Sequence, residues 1–512
     1  MKASLQKYLP GILLFAIAMV IACLTYQDYG VAWDEPLQRE PGVLSYEYAF
    51  NGNQDLFVKP NDFHGAGFEI LLMIIEKKGG ITSMRDVYLM RHLVTHIFFL
   101  LGALAGYVLA FRLFKNQWLA CLGFLMLVLM PRLYAHSFFN TKDLPFFAMF
   151  IITMAAMQAA FENRSKWQFL LLGISAGYMT AIRIMGIMPV GIVLFFLAFD
   201  LIKDRRQKER VINILVNALL FILGFCFMTY VSWPYLWKQP FHTFIEGFKR
   251  LSHFDWAGEV FYNGKMERGD RLSWYYMPVW MGITIPILWI LLGLGGMVWV
   301  VVEFLRKPLL FLNNTRERNF IISLGCFVAP LFAVIFMHSV VYDDWRHLYF
   351  IYPPFVILGL YFIDKLKSEK ARTALFGMLG FQISLVLGFM IQNHPHHQVY
   401  FNEFVSHKED YLRKHYDMDY WGVSFKQALD HLTRIDRDEI KIHTDVTGNW
   451  PLENNIALMQ DRDRARVHIT SMEDADYFIT DFRGHPSDYD YGREIYSHRV
   501  LGSKIVAIYK LK

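Results

Sequence analysis

Apolar runs long enough to cross a lipid bilayer recur along the whole chain, and no other feature restricts the fold as much. The clearest occupy 118–130, 144–161, 211–231, 283–302, 320–337 and 375–391. A helix needs roughly 17–25 such residues to span hydrocarbon. Periodicity and length together predict about eleven spans. They are placed at 8–25, 87–111, 117–131, 143–161, 168–182, 184–200, 211–231, 278–302, 319–337, 347–363 and 373–391. Charged residues make up only 19% of the chain, against about a quarter in an average soluble domain. The expected fold class is therefore a polytopic α-helical membrane protein. Its four cysteines, Cys23, Cys121, Cys226 and Cys326, lie in or beside apolar runs and form no CxxC. Neither a disulfide framework nor a zinc site is suggested. No small-x-small cleavage site follows the first run, which is expected to remain as an anchor.

Basic residues set the sidedness. Lys2 and Lys7 precede the first span, and clusters at Arg112/Lys115, Arg164/Lys166, 203–210, 306–318 and 365–372 follow every second span. The N-terminus is thus expected in the cytoplasm and the C-terminus outside. The intervening connections, 26–86, 132–142, 232–277 and 338–346, fall on the outer face with the polar tail 392–512. Residues 1–391 form a transmembrane module, and the tail forms a small extracytoplasmic α/β domain. In the tail, Ser424 is read as the N-cap of a helix over 424–434, with strands at 439–444, 466–469, 476–480 and 504–509. Functional groups gather outside, where ATP and nucleotide sugars are absent. An enzyme there must draw energy from its donor.

The chemistry-bearing residues lie in those outer connections. Asp34 and Glu35, in Ala32-Trp33-Asp34-Glu35-Pro36, stand just beyond the first span. Adjacent acids at a bilayer face suit a general base with a supporting acid; a solvated acid pair is the plain alternative. The stretch 131–143 carries His136 and ends in Asp143 at the start of the next span. Asp143 is either a second active-site acid or a carboxylate favoured by the helix dipole. Arg346 and His347 follow Asp343-Asp344-Trp345. An arginine there suits a lipid phosphate, or serves as a snorkelling anchor. Arg183, between two apolar stretches, needs a partner or an anionic ligand, or is a turn residue at the outer surface. Lys59 and His64 lie late in the first outer loop, Lys59 as a second phosphate contact, and the apolar stretch 68–75 after them suits an interfacial helix. His394, His396 and His397 could bind a metal, but read rather as a surface cluster near the membrane. Acids beside a phosphate could hold Mg²⁺ or Mn²⁺, although no ligand spacing compels a metal. No P-loop, GxSxG, HExxH or dinucleotide fingerprint occurs.

In order and sidedness these motifs resemble the GT-C glycosyltransferases, in particular the branch of protein O-mannosyltransferases and bacterial aminoarabinose transferases. The resemblance rests on Asp34-Glu35 after an N-in helix, on His136 and Asp143, on the 173–186 stretch GISAGYMTAIRIMG, and on the 345–354 stretch WRHLYFIYPP. The tail segments HPHHQVYFNEF and YDMDYWGVSFKQAL also resemble bacterial members. The resemblance implies a GT-C-like membrane module with a polyprenyl- or dolichyl-phosphate sugar as donor. Transfer to a glycan, lipid or protein acceptor would occur at the outer face of a bacterial inner membrane, with no nucleic-acid partner. It makes Asp34 the base, gives Asp143 a positioning role, and assigns the lipid phosphate to Arg346 with Lys59. Lys59-Pro60-Asn61 departs from the Lys-Pro-Pro-Leu stretch of some members. Two rival readings are a transporter or flippase for a lipid-linked sugar and an O-antigen ligase or polymerase. A transporter should place charges near the midplane of paired repeats, and no repeat is visible.

Overall fold

The computed structural model describes residues 6–58, 65–252, 256, 258–445 and 450–512. The first outer connection folds between α1 (Leu9–Thr25) and α4 (Met84–Phe114) as α2 (Glu35–Asn51) and α3 (Gly67–Lys78). Next come α5 (Gln117–Val128), α6 (Pro131–Phe139), α7 (Asp143–Asn163), α8 (Lys166–Ile182), α9 (Met188–Lys203) and α10 (Lys208–Ser232). The module closes with α11 (Pro240–Ser252), α12 (Tyr276–Thr284), α13 (Ile287–Arg306), α14 (Thr315–Phe336), α15 (Tyr352–Lys365) and α16 (Glu369–Gln392).

All eleven apolar segments expected to span are helical, and the protein is an integral membrane protein. Among the described residues, eight helices are long and apolar enough to cross a membrane, or nine if the bent pair α5–α6 is one span. The remaining two segments, α1 and α8, have 17 residues each. Two expected outlines change. The short loop 132–142 is mostly helix: α6 continues from α5 after a 61° bend. Met130 is extended ahead of Pro131, as the proline ring requires of the residue before it. The expected span 278–302 is likewise split, because Ile285 is extended before Pro286.

Close packing then decides which helices adjoin. Helices α8 and α10 run parallel in contact, and a Cβ on Gly173 would lie 2.1 Å from the Phe221 carbonyl oxygen. A Cβ on Gly177 would lie 2.5 Å from that of Phe225. Small residues admit this approach where lipid offers no hydrophobic drive to association. The connection 232–277 holds α11 and a hairpin of β1 (Glu259–Tyr262) and β2 (Lys265–Arg268). Its turn, Asn263-Gly264, has both φ positive, the pairing a two-residue hairpin favours.

The tail carries α17 (Phe425–Ile435), α18 (Trp450–Ala457) and a five-stranded sheet. Its strands are β3 (Ile440–His443), β4 (Val467–Ile469), β5 (Tyr477–Thr480), β6 (Arg493–Val500) and β7 (Ser503–Lys510), in the order β4-β3-β5-β7-β6. The β4-β3-β5 pairs are parallel and the β5-β7-β6 pairs antiparallel. Helix α17 and the strands share a small core of Leu429, Ile440, Ile442, Ile479 and Ile508. The segment before α17 instead joins the core of the membrane module through Val399, Phe401, Leu412 and Trp421. Asn402 donates to the carbonyls of Gly282 and Ile285, both at 2.7 Å, and so serves oxygens left open where α12 ends. His396 and His397 are buried, not at the surface as expected. His397 bonds the Met390 carbonyl at 2.8 Å and lies 3.2 Å from the Tyr29 hydroxyl.

Candidate active site

The acidic pair after α1 divides its work by direction. Glu35 is fully buried; its Oε1 accepts the Ala32 N–H at 2.9 Å and lies 3.1 Å from His92 Nε2. It fixes the turn into α2 against α4. Asp34 is the N-cap residue of α2, yet its side chain makes no capping bond. A carboxylate in that position ordinarily takes an orphan N–H. This one instead lies 3.3 Å from the Arg346 guanidinium and is 26% exposed.

Arg346 is the hub of the cluster. It is 4% exposed and meets Asp343 at 3.2 Å and Asp143 at 3.7 Å as well as Asp34. The rings of Tyr342 and Trp421 lie 4.8 and 4.7 Å from its guanidinium, a favourable setting for a delocalised cation. Asp343 and Asp344 both have positive φ, a region that side chains other than glycine enter at a cost. The turn sends the two acids different ways. Asp343 reaches Arg346 and, at 3.3 Å, Arg483 of the tail. Asp344 is buried and pairs with Arg132 of α6 at 2.9 Å. It also accepts the hydroxyls of Tyr349 and Tyr420 at 3.0 and 2.8 Å. Arg132 Nε donates to the Tyr400 carbonyl at 3.0 Å. The α6 helix, the 338–345 turn and the tail are thereby tied together.

Asp143 opens α7 beside Arg183, their closest atoms 2.6 Å apart. Arg183 stands at the extended break after α8, which makes it the turn residue at the helix end. Asn140 holds the other side of Asp143, donating from Nδ2 at 3.0 Å and accepting the Asp143 N–H at 2.9 Å. His136 is buried, 3.4 Å from the Tyr420 hydroxyl, with its ring edge-on to Tyr349 and Trp421. His347 packs edge-on to Tyr342 at 4.7 Å. Behind these, Arg91 pairs with Glu69 at 2.7 Å, and the Thr141 hydroxyl lies within hydrogen-bond reach of both Glu69 and Gln38.

The structure therefore brings Asp34, Asp143, Arg183, Arg346 and His347 into one place, with His136 on its flank and Glu35 turned away toward His92. Lys59 and His64 lie outside the described residues. Sequence reasoning did not single out Lys142, Arg132, Trp421 or Arg483. Lys142 and Arg132 lie in the 131–143 stretch with Asp143 and were open to notice; Trp421 and Arg483 are brought in by the tertiary fold alone. Burial and the neighbouring Arg183 hold the Lys142 ammonium down at about 7. Burial pushes the Asp34 carboxyl above its usual range, with Arg346 pulling the other way. Among the described residues, no group of three His, Cys, Asp or Glu side chains is placed to hold a metal ion. The position between Asp34, Asp143 and Asp343 is filled by the Arg346 guanidinium. Of the ion-paired side chains, Asp34, Arg183 and Arg483 have appreciable exposure, while Arg346 and Asp143 are enclosed.

Residues 84–233 match the family model described as dolichyl-phosphate-mannose-protein mannosyltransferase. The match takes in under a third of the chain and contains His136, Asp143 and Arg183. No curated protein matches the chain. Among solved structures, it is similar to ArnT from Cupriavidus metallidurans bound to undecaprenyl phosphate. Identity there is 13%, with 89% of this chain and 75% of that one covered, at a TM-score of 0.47. The apo state of ArnT is matched over 97% of both chains, at 13% identity and a TM-score of 0.47. An oligosaccharyltransferase from Archaeoglobus fulgidus, tethered with an acceptor peptide containing the NVT sequon, is 11% identical with a TM-score of 0.49. That match covers 88% of this chain and 63% of the archaeal one, less than two thirds of its length.

Proposed function

We propose that this protein is a membrane glycosyltransferase that moves a sugar from a polyprenyl-phosphate-linked donor to a glycan, lipid or protein acceptor. Asp34 is its general base. The reaction takes place at the periplasmic or extracellular face of a bacterial inner membrane, with the N-terminus in the cytoplasm and the tail outside. One observation carries the reading: Asp34 declines the capping bond open to it and faces outward beside a buried arginine. A carboxylate so placed is held in position and keeps a lone pair for an incoming proton.

The step balances without a cofactor. The acceptor hydroxyl oxygen forms a bond to the anomeric carbon while Asp34 takes its proton. The bond from that carbon to the phosphate oxygen breaks, and the electron pair leaves with the lipid phosphate. Positive charge at the developing phosphate lowers the barrier. Arg183 and Lys142 are the cations set to supply it at the open side. Arg346 holds Asp34 in place and adds its field from behind, and Asp143 orients Arg183. His136 and His347 line the wall. Lys59 is assigned here by the sequence resemblance alone, and His64 by its place late in the first outer loop. The family match over 84–233 supports the donor class.

The test is transfer by purified protein in nanodiscs, offered a panel of undecaprenyl- and dolichyl-phosphate sugars with an envelope extract as acceptor. Label reaching the acceptor with wild type but not Asp34→Asn is the expected result. Movement of the lipid between leaflets, with no transfer by either protein, would make the cluster part of a transporter and end the enzyme reading.

A further inference from the structure

The end of the molecule opposite this cluster holds a second built site. Helix α7 starts at Asp143 and is 21 residues long, so its far end lies about 30 Å away at 1.5 Å per residue. There, between the first turns of α8 and α10, lies a cavity of about 560 Å³ lined by Arg164, Lys166, Arg210, Asn213, Ile214 and Asn217. Because α8 and α10 run parallel, both present their N-termini to it. Each terminus carries unsatisfied N–H groups and partial positive charge.

The floor is as informative as the rim. Asn217 is 4% exposed, and its Oδ1 has no hydrogen-bond partner. A buried amide without a partner is costly, and a half-turn of its side chain presents N–H donors instead. On the rim, Arg164 lies 3.5 Å from Asp200 and 3.7 Å from Asp204, and Arg210 lies 3.4 Å from Asp204. Asp200 is also held by Arg318. Lys166 has no carboxylate partner among the described residues. The cavity lining itself carries three cations, Arg164, Lys166 and Arg210, and no carboxylate; Asp200 is shared with Arg318, which leaves the lining positive. Trp167, Leu215 and Leu219 are exposed apolar side chains on the same two helices, as a lipid-facing surface requires. A solvated run of inward basic residues accounts for the charge but not for a cavity floored by an unpartnered amide.

We propose that this cavity binds the phosphate-bearing headgroup of an anionic membrane phospholipid, away from the sugar-transfer site. Basic pockets between membrane helices on the cytoplasmic side take such headgroups. Lys166, Arg164 and Arg210 meet the phosphate oxygens, Asn213 and Asn217 bond the polar headgroup, and the acyl chains run down beside Leu215 and Leu219.

The test is thermal unfolding of delipidated protein in detergent, titrated with phosphatidylglycerol, phosphatidylcholine or inorganic phosphate. Phosphatidylglycerol is expected to raise Tm by about 3 °C or more, with little effect from the other two. Lys166→Gln/Arg210→Gln should weaken its apparent affinity about tenfold. Arg205→Gln/Arg206→Gln, exposed basic residues off the cavity, should stay within about twofold of wild type. If the double variant fails to fold, Lys166→Gln alone, at an exposed side chain, should still lose about threefold. Equal shifts with phosphatidylcholine, or equal loss in the Arg205/Arg206 variant, would overturn the site. A full shift with inorganic phosphate would reassign it to a soluble anion and overturn the lipid assignment.

Discussion

At the scale of the residue, two side chains of the cluster hold their protons with displaced affinities. Asp34 has a carboxyl raised by burial. The native state therefore favours its protonated form. The associated stability is fully present below the unfolded carboxyl value and is lost as pH rises through the raised one. The ionised form of Asp34 works against folding while serving transfer. Asp34→Asn is accordingly expected to cut transfer about 100- to 10,000-fold with Tm at or above wild type at pH 7. The Tm gap should close in acid; a Tm well below wild type at pH 7 would make Asp34 a structural residue. Lys142 is held at about 7 by burial and by Arg183, so its positive charge is present below that pH and disappears above it. If it meets the donor phosphate, KM for donor should rise as pH passes through about 7. Lys142→Arg, which keeps its charge, should hold KM flat between about pH 6 and pH 9. A wild-type KM that ignores pH over this range would remove Lys142 from the phosphate site.

At the scale of the element, apolar length and period were enough to place every helix of the membrane module that was sought. The breaks were harder to read. Pro131 and Pro286 each sit inside an apolar run and act on the residue before them, so the run continues in composition while the helix turns. The α2 and α3 helices were only half legible: the apolar 68–75 stretch foretold α3, but α2, with few apolar residues and an internal Pro41, gave no clear period. Packing between elements follows from what small residues permit. At Gly173 an added Cβ would meet the Phe221 carbonyl oxygen at 2.1 Å, whereas at Gly191 in α9 it would meet nothing within 4 Å. Gly173→Ala is therefore expected to cost roughly 1–3 kcal/mol and lower Tm in detergent. Gly191→Ala should be neutral or stabilising, by up to about 1 kcal/mol. Equal Tm for both variants would mean that α8 and α10 are not held together by this approach.

At the scale of the whole molecule, the active-site cluster is assembled from distant parts of the chain, and this explains what the sequence could and could not disclose. Asp34, Asp143 and Arg346 were legible because charge at the rim of an apolar span is conspicuous wherever it falls. Arg483 and Trp421 were not, since each sits in a polar tail where charged and aromatic residues are unremarked. The tail also does more than cover the site. Trp421 stacks on Arg346, Tyr420 bonds Asp344, Arg483 meets Asp343, and Arg132 donates to the Tyr400 carbonyl. Removing one partner of a buried ionic network leaves the others uncompensated, at about 3–5 kcal/mol for a broken pair. A chain ended at Gln392 loses several such contacts at once, together with the Asn402 bonds at the end of α12. It should insert in the membrane, because its apolar helices are intact, yet unfold at a lower temperature and transfer no sugar. Trp421→Ala in the full chain separates the two effects. It keeps the strands and α17 in place while opening the wall beside Arg346, so donor KM should rise and kcat fall with the tail still docked, as limited proteolysis would report. A truncated chain with wild-type Tm and wild-type donor affinity would instead make the tail a separate domain whose contacts with the cluster are incidental to catalysis.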